Sequence, residues 1–264
     1  MTVWGALCYK TWLETRTRVA TGAVVIIALC AFMVLVHPRM MVQWPLDKIQ
    51  HPEWHDPPWW DRVHTDYAFF LWHYLYHDML QKAFMVFAVL LGIGGLAREA
   101  AQGTVGFTLS LPARRRTMLA ARTAVGAIEI LALGLVAGVT ILTCSAAIGE
   151  TYSAQHAFFH AGLIALTSLA VLAGSLLLST VIQGEHAPAL AGLAAVGMFN
   201  YVMAPYTDGG PVKGVIRAFD FIGVMAGGQG ATAADVPWGG LGISLVITVL
   251  ALGMALQVNE ARDY

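Results

Sequence analysis

The chain is short of charge. Only 12% of its 264 residues are Asp, Glu, Lys or Arg, while 58% are hydrophobic; ordinary soluble domains carry roughly 25% charged residues. A deficit of that size excludes a soluble fold and points to a chain that lives in a bilayer. Cysteine is scarce too. Cys8, Cys30 and Cys144 lie in or beside apolar runs without a shared motif spacing, so no disulfide framework is readable and all three read as small buried hydrophobes. There are four lysines, none preceded by glycine, and no G-x-x-x-x-G-K-[ST] occurs. The chain therefore has no phosphate-cradling loop of its own. A cleaved signal peptide is not expected either, because "VHPRM" offers no small-residue cleavage site after the first apolar stretch.

What the chain does have is long apolar runs. Spanning a bilayer as a helix takes about 20 apolar residues. Six runs come close or suffice: 19–36, 79–97, 118–148, 158–181, 187–204 and 238–258. The expectation is an all-α integral membrane protein, residues 1–264 forming a single transmembrane domain of six helices. Ahead of the first run, "VWGALCYKTWLETRTR" sets Trp4, Leu7, Cys8 and Trp12 on one helical stripe, with Lys10 and Glu14 off it. That pattern predicts an interfacial helix over 1–18, apolar side in lipid and basic end in the headgroups.

Charge distribution orients the spans. With six of them, the termini share a side with the 98–117 and 182–186 loops. That side carries nine bases (Lys10, Arg16, Arg18, Arg98, Arg114, Arg115, Arg116, Arg122, Arg262) against five acids (Glu14, Glu99, Glu185, Glu260, Asp263). The other side carries six bases and ten acids, and Glu129 is left inside the membrane. By the positive-inside rule both termini are expected in the cytoplasm. Glu129 lies about 11 residues into its run, roughly 16 Å along the axis, so a mid-bilayer carboxyl facing the bundle interior is expected there. Two readings stay open for it: a structural hydrogen bond to a Ser, Thr or backbone group of another helix, or a role in the substrate path or in helix movement.

The stretch "GTVGFTLSLPARRR" follows the second run. Val105, Phe107, Leu109 and Leu111 alternate with small polar residues, Pro112 stops any helix, and Arg114, Arg115 and Arg116 suit an anionic leaflet at roughly 1 kcal/mol per base. Arginines anchor topology, but they do not explain apolar side chains on a loop, which need a protein surface to pack against. The longer stretch "REAAQGTVGFTLSLPARRRTMLAAR" resembles the loop after the second span in ABC type 2 exporter permeases. The residues that carry the likeness are Glu99, Gly103, Thr104, Leu109, Leu111, Pro112 and Arg114. The resemblance implies a short coupling helix in the 98–117 loop, docking with Phe107 among its apolar residues on a separate ATPase chain present in two copies. It also implies a second permease subunit, identical or not, and a prokaryotic plasma (inner) membrane setting. ATP and Mg would belong to the ATPase partner, so this chain carries no catalytic residue and no cofactor; no nucleic acid is involved.

The outer side is unusual. The 37–78 loop is rich in Trp, His, Pro and acids, its tryptophans suited to the interface. Asp66, His73, His77 and Gln81 would form a polar stripe along an α-helix continuing into the second span. His73/His77 and His156/His160 have a spacing that could share a metal on one helix face, yet no further ligand completes a shell, so no metal site is assigned. In the 206–237 outer loop, Val212, Val215, Ile216, Phe219, Ile222 and Gly223 form one stripe, too short to span, which predicts an interfacial or re-entrant helix of the kind such permeases have there. Two other readings remain. The same kind of subunit could serve a periplasmic assembly or metal-enzyme maturation system, with the outer histidines as support. Alternatively the chain is an ATP-independent channel or secondary transporter, which expects several intramembrane charges where this sequence has Glu129.

Overall fold

A computed structural model describes residues 2–50, 59–94, 99, 103, 113–182, 184, 186–198 and 225–261, with side chains described for 2–44 of the first stretch. Among the described residues the regular structure is helical. α1 is Val3–Gln50, α2 Trp60–Thr65 and α3 Tyr67–Phe70. A π-helical stretch, Leu71–Leu80, runs directly into α4, Gln81–Gly92. α5 is Arg115–Ala147, α6 Ala154–Val181, α7 Ala187–Met198 and α8 Trp238–Ala261. Four helices, Val3–Trp44 within α1, α5, α6 and α8, are long and apolar enough to cross a membrane. The continuous helix from Tyr67 to Gly92 and the shorter α7 are apolar as well. The outer stripe at 212–223 lies outside the described residues.

Two expectations change at α1. No boundary separates an interfacial helix over 1–18 from the first span, since α1 runs unbroken for 48 residues, about 72 Å. No proline interrupts it before Pro38, and Lys10, Glu14 and Arg18 find partners on other elements, as shown below. Nor do residues 37–50 belong to a loop. His37 is buried, its ring 4.8 Å from that of Tyr67 and 4.6 Å from that of Phe70. That packing against the second helix carries α1 past Pro38.

α5 lies between α1 and α6, α8 packs on α6, and α4 fits between α6 and α7. Without a hydrophobic driving force in lipid, such seams depend on close van der Waals contact and small residues. On α5, a Cβ at Gly134 would stand 3.0 Å from Ala165 Cβ. The core, with Ile26, Tyr76, Phe84, Ile130, Leu133 and Ile164 fully buried, occupies the middle of this arrangement. Exposed Val24, Phe32, Leu245 and Val249 leave apolar flanks on α1 and α8, as a bilayer requires.

The two ends differ chemically. At the aromatic end, three side chains clasp the segment ahead of α8. Trp72 Nε1 donates to Gly227 O (3.2 Å), Gln155 Nε2 to Ala231 O (2.9 Å) and His160 Nδ1 to Ala226 O (2.9 Å). Within that segment Asp235 accepts from the hydroxyl and amide of Thr232, which hold its carboxyl below the usual carboxylate range. At the opposite, basic end sit the arginines.

Candidate coupling site at the basic end

The last carbonyls of a helix have no N–H partner and carry the negative end of its dipole. α4 stops at Gly92, where Ile93 turns extended (φ −76°, ψ 131°) and Gly94 takes φ +137°. Its end is then satisfied by three neighbouring helices. Ser175 Oγ of α6 donates to Val89 O at 2.8 Å. Arg18 of α1 donates through Nη1 to Leu90 O (2.6 Å) and Ile93 O (2.7 Å). Arg122 of α5 donates through Nη2 to the same Ile93 O (2.8 Å) and through Nη1 to Glu14 Oε2 (3.1 Å). Two glycines make the space. A Cβ at Gly92 would stand 2.6 Å from Ser175 Cβ, and one at Gly94 would stand 2.0 Å from Arg122 Nη2.

Lys10, Glu14 and Arg18, spaced i, i+4 and i+8, form one stripe of α1 facing this site. Lys10 Nζ lies 2.6 Å from Glu99 Oε1 and 3.8 Å from Glu14 Oε1. Arg18, which meets Ile93, and Lys10, which meets Glu99, stand about two turns apart on α1, roughly 12 Å. Glu99 is thus placed in the site. Gly103 adopts φ +72°, and exposed Arg114 occupies the N-cap of α5. Thr104, Phe107, Leu109, Leu111 and Pro112 lie outside the described residues.

The arginine triplet does not simply face headgroups. Arg115 Nη1 donates to Asn259 O (3.3 Å) and Glu260 O (3.5 Å) at the end of α8, and Arg116 pairs with the Glu260 carboxylate, Nη2 to Oε2 at 2.7 Å. Glu129 is buried, as expected. It accepts from the hydroxyl of Thr15 on α1, which precedes the first apolar run, so the carboxyl sits toward the basic end. Among the described residues its Oε2 has no partner. Arg122, two turns earlier on α5, is occupied by Ile93 and Glu14 instead.

At the aromatic end the expected polar stripe breaks up, because His73 and His77 lie in the π-helical stretch, where i→i+5 bonding changes the angular step. Asp66 caps α3 through Phe69 N (3.1 Å), and Gln81 is buried with its amide on His77 O. His73 is enclosed by rings, 4.5 Å from Trp59 and 4.9 Å from Tyr74. His156 and His160 stand edge to face with centroids 6.1 Å apart.

Residues 43–214, well over half of the chain, match a family model described as ABC-2 family transporter protein. The chain belongs to the ABC-2 transporter family. Comparison with curated proteins and with solved structures returned no match. This ABC-2 chain is accordingly a permease subunit, the kind of membrane protein that partners an ABC ATPase. The matched region holds the end of α4, Glu99, Arg122 and Ser175; Lys10, Glu14 and Arg18 precede it.

Sequence reasoning about this ABC-2 protein missed Arg18, Arg122 and Ser175 as site residues. Their acceptors are backbone carbonyls, which no residue type announces. A usable signal did exist in the i, i+4, i+8 spacing of Lys10, Glu14 and Arg18, a charged stripe too regular for the headgroup role given to it.

Proposed function

We propose that this permease subunit is the membrane half of an ATP-driven exporter, with two membrane subunits working beside two copies of a separate ATPase. It crosses the plasma membrane six times, with the basic end and both termini in the cytoplasm. The 98–117 loop carries the coupling helix, and Phe107, Leu109, Leu111 and Pro112 form its docking face, flanked by Glu99, Gly103, Thr104 and Arg114. ATP binding closes the ATPase dimer, the loop moves, and the helices rearrange so that substrate leaves outward or laterally. ATP and Mg²⁺ are held by the partner, because this chain has no phosphate-cradling lysine loop.

One observation supports this reading above others. The segment entering the loop is fastened to two helices at once, to α1 and α5 through Ile93 and to α1 again through Glu99, so force applied there has somewhere to go. A passive connector needs no such attachment. Replacing Phe107, Leu109 and Leu111 together by serine should leave the membrane domain folded and remove its capture of the ATPase. If the triple variant pulls down the ATPase at wild-type yield, the docking role is wrong.

A further inference from the structure

The contacts at the end of α4 do more than cap a helix. We propose that Arg18 and Arg122 are positioning residues that hand movement of the loop after α4 to α1 and α5. The proposal rests on the reading that an ATPase engages that loop.

A cap needs one donor per carbonyl, and Val89 O already accepts from Ile93 N at 3.2 Å, with Ser175 Oγ added to it. What a cap does not explain is two guanidinium groups, from two different helices, converging on the single oxygen of Ile93. Each has a second hold, Arg18 on Leu90 O and Arg122 on Glu14. The four groups therefore close a ring: Ile93 to Arg18 on α1, Glu14 on the same helix to Arg122 on α5, and Arg122 back to Ile93. Ile93 cannot shift against α1 without also shifting against α5. Charge-assisted hydrogen bonds are roughly twice as strong as neutral ones, and Arg122 is only 8% exposed, which limits screening by water. A rigid planar fork suits two acceptors at once, which a lysine cannot match. Gly94 completes the device, since any side chain there would occupy the place of Arg122 Nη2.

The test uses the reconstituted complex of this permease with its ATPase and follows amide hydrogen exchange with and without ATP plus vanadate. In the wild type, nucleotide trapping should change exchange in the loop and in the basic-end halves of α1 and α5. In the Arg18→Gln, Arg122→Gln double variant the ATPase should still be captured and the loop should still respond, but the response of α1 and α5 should be lost. Arg122→Lys keeps the charge without the fork; it can hold Ile93 or Glu14 but not both, and should give an intermediate response. If the double variant does not reach the membrane, Arg18→Lys and Arg122→Lys carry the same readout. A purely stabilising cap would raise exchange at the end of α4 in both conditions and leave the nucleotide-dependent change in α5 intact. That result overturns the proposal while the function stands. A wild-type permease that captures no ATPase would overturn both.

Discussion

Thr15 and Glu129 meet at the seam of α1 and α5, and their hydrogen bonding is lopsided. The Thr15 hydroxyl has one proton and several acceptors in reach, including Thr11 O at 3.1 Å and Trp12 O at 3.4 Å as well as the carboxyl. Glu129 has, among the described residues, only Thr15. Leaving a buried polar group unpartnered costs about 1–3 kcal/mol, more when it is charged, whereas removing a group whose partner can turn elsewhere costs little. Thr15→Val should therefore destabilise the subunit by about 1–3 kcal/mol, and Glu129→Gln by under about 1 kcal/mol. Glu129→Leu should fall below Thr15→Val, because Thr15 then donates to Thr11 O. Unfolding in mixed micelles measures all three; a Glu129→Leu variant clearly less stable than Thr15→Val would refute this account. The sequence made the carboxyl conspicuous and its interior orientation predictable. It did not show that Thr15 would be the partner, because that depends on how α1 sits along α5; a Cβ at Gly22 of α1 would meet Phe87 Cδ1 at 3.1 Å and Leu133 Cδ1 of α5 at 3.4 Å.

At the scale of elements, apolar runs without breakers were easy to read. α5, α6 and α8 begin and end within a few residues of runs found by hydropathy alone, since a lipid-immersed backbone must satisfy its own hydrogen bonds as a helix. The second helix was read in part. The stripe from Asp66 to Gln81 predicts a helix running into the second span, and the helix does start at Tyr67, but the π-helical step and the packing of Trp72, His73 and His77 among rings were not legible. It stops at Gly92 because Gly94 and the two arginines end it there. Gly94→Ala should loosen that end twice over, through a positive φ that L-residues resist and through displacement of Arg122. The second effect makes a specific forecast. If Arg122 is what the new methyl displaces, Gly94→Ala and Arg122→Gln must be non-additive, with a coupling of about 0.5–3 kcal/mol in a double-mutant cycle. Additive losses would mean that Gly94 matters for its backbone alone.

Across the whole molecule, the excess of bases at one end has a structural use beyond topology. Helices that terminate there present the negative ends of their dipoles, and arginines answer them: Arg18 and Arg122 at α4, Arg115 at α8. The same residues that bias insertion also fasten neighbouring helices at the end where an ATPase would push. If so, orientation and coupling stand or fall together, and orientation can be measured directly. In a background with Cys8, Cys30 and Cys144 replaced, Asp61→Cys in α2 and Arg114→Cys ahead of α5 each place one thiol at an exposed position. A membrane-impermeant maleimide added to intact spheroplasts should label the variant at 61 and reach the one at 114 only after permeabilisation. The opposite pattern would put the 98–117 loop on the side without ATP. No ATPase could then engage it, and the arginine ring around Ile93 would be a device for stability alone.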